Sequence, residues 1–142
     1  MSYLKLAEWS IVLLLLYSAV VDIQRREIPL AACLLADAVI VVALLWFGAG
    51  WATLGYHLLA GLILAGLYFV NALFFRGGGG DCLLAFSIGL ALGVRAGLII
   101  VILSSLCLGV FHIMLPKKLN SYPLAPFLFL ATLLYFRFTG GI

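Results

Sequence analysis

The chain has 142 residues, of which 67% are hydrophobic and 9% charged, against roughly 25% charged in a soluble domain. With a mean hydropathy of +1.32, that balance excludes an ordinary soluble enzyme and leaves an all-α, polytopic membrane protein, expected as one compact domain over residues 1–142. The net charge of +3 comes from eight Lys and Arg against five Asp and Glu. These basic residues stand between apolar runs, so they read as determinants of topology and not as a nucleic-acid footprint.

A bilayer core takes about 20 mainly apolar residues per helix, within roughly 17 to 25, and six transmembrane helices fit the chain. The first runs from about Leu4 to Val21. Its stretch Ile11 to Leu16 could serve as a signal-peptide core, but no small-residue cleavage site follows, so it is expected to stay as a span. A polar loop, Asp22 to Glu27, leads to Ile28-Pro29, where a first helical turn tolerates proline. The second span reaches Phe47 and carries Asp37 near its middle. Gly48-Ala49-Gly50 separates it from a third, Ala52 to Phe75.

From Cys82 to Leu115 the only formal charge is Arg95. One helix of that length would be ~50 Å long, too much for a single crossing. Division at Arg95-Ala96-Gly97 yields a fourth span, Asp81 to Val94, and a fifth, Gly97 to Leu115. After the loop Pro116 to Ser121, the last span covers Tyr122 to Phe138, with Pro123 and Pro126 near its start. The loops after odd-numbered spans hold Arg25, Arg26, Arg76, Lys117 and Lys118, and the other side holds Lys5, Arg95 and Arg137. The excess of basic residues puts the N-terminus outside and the loops bearing Asp22 and Asp81 on the cytoplasmic side.

One segment is out of place in lipid. Arg76-Gly77-Gly78-Gly79-Gly80-Asp81 sets a permissive backbone and a carboxylate between two apolar runs. An acidic side chain near hydrocarbon is a functional-site hypothesis by default. Asp81 can also cap the free N–H groups of a first helical turn, and Asp22 can pair with Arg25 or Arg26 as a solvated loop carboxylate. Both aspartates follow odd-numbered spans and so share one side of the membrane, as a catalytic pair requires.

Taken together, Asp22, Ile28-Pro29, Gly78-Gly79-Gly80-Asp81 and Tyr122-Pro123-Leu124-Ala125-Pro126-Phe127-Leu128 resemble the type IV prepilin peptidases, membrane aspartic proteases of the GxGD class. The likeness runs from Asp22 to the last helix with its landmarks in order. It implies that Asp22 and Asp81 are catalytic. It also implies that Gly78, Gly79, Gly80, Ile28, Pro29, Pro123 and Pro126 position the loops and the substrate. The chain departs from the family's usual pattern at Leu30, where Asn usually follows Ile-Pro, and at Leu83, where Lys usually stands two residues after the second aspartate. A missing lysine removes a positive charge that favours ionisation of the pair. Cys33, Cys82 and Cys107 form no C-x-x-C pair. They therefore fit neither a zinc ribbon nor the cysteine-bearing methyltransferase region of longer relatives, and peptidase activity alone is expected.

The implied reaction is hydrolysis of prepilin-like proteins, which carry a basic leader before an apolar helix, at the cytoplasmic face of a prokaryotic inner membrane. No metal or organic cofactor is required. Two close carboxyls hold one proton between them: the ionised member takes a proton from water, and the protonated one polarises the scissile carbonyl and later serves the leaving amine. Two other readings are a small proton-coupled transporter using Asp22, Asp37 and Asp81 as a relay, and an inactive pilus or secretion assembly factor suggested by Leu30 and Leu83.

Asp37 is expected as a buried neutral carboxyl bonded to Asn71 or a backbone carbonyl, with a relay or substrate contact as its functional alternative. His57 and His112 stand without neighbouring ligands and read as packing or interfacial residues. Trp46, Trp51 and Tyr122 read as interface anchors, and Gly61, Ala65 and Gly66 as a close-packing stripe.

Overall fold

The computed structural model describes residues 3–25, 27–47, 50–75, 79–114 and 124–140. These form five helices: α1 (Tyr3–Arg25), α2 (Leu30–Trp46), α3 (Trp51–Phe75), α4 (Gly79–Met114) and α5 (Ala125–Thr139). No strand occurs among the described residues. α1, α3 and α4 are each long and apolar enough to cross a membrane, while α2 and α5 are apolar but shorter, at 17 and 15 residues. The outer surface is as apolar as the core: Leu13, Leu35, Leu62 and Ile102 are each more than half exposed. In water such a surface would drive aggregation, and in a bilayer it is the lipid contact.

The helix count is five and not six, because the expected fourth and fifth spans follow one another without a loop as the two limbs of α4. The chain does not part at Arg95-Ala96-Gly97, which is helical throughout. It breaks at a single residue, Gly93, with φ 81° and ψ 174°. That conformation is closed to residues with a Cβ, so one glycine suffices where a loop was expected.

Contacts along α3 show where the two limbs of α4 go. Gly93 lies against Tyr56, the first limb places Phe86 on Gly61 and Gly89 on Ala60, and the second places Gly97 on Leu64. Ser104 lies against the Tyr68 hydroxyl. Moving along α3 from Tyr56 towards Tyr68, both limbs advance in the same direction from Gly93. α4 therefore doubles back, and its limbs, about 21 and 32 Å long, both run along α3. Phe111 near its far end meets Phe127 of α5, ring centroids 5.3 Å apart. Both ends of α4 thus sit at one end of the bundle.

α1 packs against α2, α4 and α5, and α5 also packs against α4. Ile11, Leu15, Ile40, Leu44, Leu84, Ile88 and Leu128 are fully buried between them. α3 buries one stripe, Leu54, His57, Ala60, Gly61, Leu64 and Tyr68, at helical spacing. The close packing expected at Gly61 is there, but Gly66 is exposed with open space around it, so the stripe turns away from Gly66 towards Leu64. His57 is buried and its Nδ1 lies 2.8 Å from the Leu90 carbonyl oxygen, which makes it a tie between α3 and α4. Trp46 and Trp51 are more than four-fifths exposed on either side of the α2–α3 connection.

A methyl group at Gly89 would stand 2.6 Å from the Ala60 carbonyl oxygen, backbone against backbone, whereas Gly109 has nothing within 4 Å. Gly89→Ala is expected to destabilise the bundle by about 1–3 kcal/mol and Gly109→Ala to leave it unchanged, as read by thermal unfolding in detergent.

Candidate functional site

Asp22 lies in the last turn of α1 and is only 7% exposed. The main-chain N–H of Ala125, the first residue of α5, donates to its Oδ2 at 3.0 Å. A helix start has unpaired N–H groups, so a carboxylate from another helix is a natural partner for it. The short connection after α1 holds Ile28 and Pro29. Pro29 is the extended N-cap of α2, φ −73° and ψ 99°, and its carbonyl oxygen accepts from the N–H groups of Ala32 and Cys33 at 3.1 and 3.2 Å.

Ile28 is half-buried against Gly80: a Cβ on Gly80 would stand 2.7 Å from the Ile28 Cβ. Asp81 follows directly, half-buried in the first turn of α4. Tyr68 of α3 lies within electrostatic reach of Asp81 and Cys82. The end of α1 and the starts of α2, α4 and α5 therefore gather at one end of the bundle. Asp22 and Asp81 both stand there, each on a different helix.

Among the other residues singled out in the sequence, Pro126 is in the first turn of α5, next to the donor to Asp22. Gly79 is exposed with nothing within 4 Å. Gly78 and Pro123 lie outside the described residues, as do Arg26, Arg76, Lys117, Lys118 and Tyr122 and the side chains of Asn71 and His112. Leu30 is more than half exposed and Leu83 is half-buried.

Asp37 sits deeper in the bundle. The partner visible for its carboxyl is Ser87 of α4, whose hydroxyl also donates to the Leu83 carbonyl oxygen at 3.1 Å. Its Oδ1 is buried without a hydrogen-bond partner. Sequence reasoning missed Ser87, and it named Ala125 only within the landmark Tyr122 to Leu128, without a role of its own. Only the second left a trace in the sequence, because Pro126 removes the next N–H of that helix turn.

A model of the type IV leader peptidase family matches residues 9–113. The chain belongs to that family. The matched residues of this leader-peptidase chain include Asp22, Ile28, Pro29, Gly80 and Asp81 and end before α5, so the Ala125 contact lies beyond them. No curated protein and no solved structure gives a match. Family and long apolar helices together mark an integral membrane protein with a peptidase's role.

Asp22→Ala removes the acceptor of the Ala125 N–H and is expected to lower stability by about 1 kcal/mol, whereas Asp22→Asn keeps an oxygen there and unfolds close to the parent temperature. Gly80→Ala drives a methyl into Ile28 and shifts the turn carrying Asp81. It is expected to cost peptidase activity about tenfold or more, a larger loss than Gly79→Ala causes in the same assay.

Proposed function

We propose that this leader-peptidase family member is an aspartic endopeptidase that uses Asp22 and Asp81 to remove the basic leader from prepilin-like substrates. The observation that carries this reading is the contact between Ile28 and Gly80. It ties the connection that follows Asp22 to the residue that precedes Asp81. The excess of basic residues in the loops after odd-numbered spans supports a cytoplasmic site with the N-terminus outside, in a prokaryotic inner membrane. The whole chain, 1–142, acts as one domain in this proposal.

The chemistry needs only the two carboxyls and water. The ionised member takes a proton from water as the oxygen attacks the scissile carbonyl carbon. The protonated member hydrogen-bonds the developing oxyanion and then gives its proton to the leaving nitrogen as the C–N bond breaks. The pair is left with its proton on the other carboxyl and resets by exchange with solvent. The open surface at Gly79 gives an extended substrate backbone room beside Asp81.

One observation favours a second reading: the buried, unpartnered Oδ1 of Asp37 would suit a proton relay, and a relay would need Asp37 as much as the other two. Co-expression with a prepilin from the same genome separates the readings by the gel mobility of the substrate. The parent protein is expected to shorten it, Asp22→Asn and Asp81→Asn to leave it at full length, and Asp37→Asn still to cleave. Cleavage by either of the first two variants would sink the proposal, as would none by a folded parent protein.

A further inference from the structure

Two contacts tie α2 to the first limb of α4. At the end that holds the site, Ile28, just before α2, lies on Gly80. Deeper in the bundle, the carboxyl of Asp37 meets the hydroxyl of Ser87, which is fully buried. Gly80 and Ser87 are about 10 Å apart along the helix, and Asp81 stands between them. The deeper tie also reaches the main chain beside Asp81, because the Ser87 hydroxyl donates to the Leu83 carbonyl oxygen at 3.1 Å. Stability does not account for an acid at position 37. Its Oδ1 is buried without a hydrogen-bond partner, which is a net cost that an apolar side chain of similar size would not carry. What the carboxyl adds is direction: a hydrogen bond to Ser87 selects one height and one rotation of the limb, where aliphatic packing alone tolerates several.

We infer that Asp37, acting through Ser87, is a positioning residue that fixes the α4 turn bearing Asp81. This rests on the aspartic-peptidase reading above. It needs nothing of how the two carboxyls divide a proton, and it gives Asp37 a task other than a relay. A limb held only at Gly80 is free to turn about that point. A small displacement of a reacting group lowers the rate of the chemical step, and one that leaves the substrate's other contacts intact shows in kcat and not in KM.

The test is steady-state cleavage of a prepilin by the purified full chain in detergent, with thermal unfolding followed on the same preparations. Asp37→Leu removes the tie and the unpartnered oxygen together. It is expected to unfold at or above the parent temperature, while kcat falls about tenfold and KM stays within about twofold. Asp37→Asn offers both an oxygen and an N–H, so it can bond Ser87 whichever partner gives the hydrogen, and it is expected to keep most of the parent kcat. Ser87→Ala is expected to lower kcat as Asp37→Leu does, and the double variant to go no lower than the worse single one. Parent kcat in folded Asp37→Leu or Ser87→Ala overturns the inference, as do losses that multiply in the double variant. An Asp37→Asn variant as slow as Asp37→Leu also overturns it, since the proton and not the contact would then be what is required. If Asp37→Leu does not fold, Ser87→Ala and Asp37→Asn decide by the same criteria. A parent that cleaves nothing, or an Asp22→Asn or Asp81→Asn variant that cleaves, removes the peptidase reading and this inference with it. Loss of cleavage in both of those variants with parent kcat in Asp37→Leu removes this inference alone.

Discussion

The reversal at Gly93 is the constraint on which the rest of the bundle depends. Its φ of 81° turns a run of apolar residues about 54 Å long as a continuous helix into two limbs that share α3 as a spine. Only because the second limb returns does α5 begin at the end where α1 finishes, and only then does the Ala125 N–H reach Asp22. The first limb carries Asp81 to the same end through its own start. A straight α4 would leave Asp81 where it is, beside Ile28 through Gly80, but would carry the start of α5 to the far end, away from Asp22.

Inside an apolar bundle each polar group needs a partner within the protein, since hydrocarbon offers none. Most are provided for locally. Thr132 and Ser104 bond back to carbonyl oxygens of their own helices, at 2.8 and 2.9 Å, and His57 spans from α3 to α4. Among the described residues three atoms stand outside this economy, Asp37 Oδ1, Ser18 Oγ and Glu8 Oε2, the last with only Lys5 Nζ at 3.8 Å, and a buried unsatisfied polar atom costs about 1–3 kcal/mol. Ser18 lies one turn before Asp22 on α1, and Asp37 reaches the limb of α4 that carries Asp81. Two of the three thus lie on or against the elements that hold the two carboxyls, while Glu8 stands near the other end of α1.

The spans, the two aspartates, and the Ile-Pro and glycine landmarks were legible in the sequence because each is a break in an apolar pattern. What could not be read was the use made of each glycine inside the pattern. α4 has four after its first turn: Gly89 admits the α3 backbone, Gly93 takes a positive φ, Gly97 makes room for Leu64, and Gly109 faces open space. In the sequence all four are a glycine among aliphatic residues. Arg95-Ala96-Gly97 drew the expected boundary because it pairs a charge with a glycine, yet Arg95 is exposed and stays helical, so its charge required no break. Ser87 was equally silent, since a lone serine in a membrane helix usually bonds its own backbone, and this one does so while also meeting Asp37.

Asp22 shows why the C-terminal part of the chain belongs to the site. It stands in the last turn of its own helix, where the helix dipole disfavours negative charge, and it is buried there. From α1 alone this would be a poor position for a carboxylate. The start of α5 supplies the opposite end of a dipole and a direct donor at 3.0 Å, so α1 borrows from α5 what it lacks. Asp81 needs no such loan, because it occupies the favourable first turn of α4. Two carboxyls meet one requirement by different routes, one from its own helix and one from a helix about a hundred residues further along the chain. The dependence of Asp22 on that distant turn makes α5 a direct partner of this carboxyl and not only a packing element.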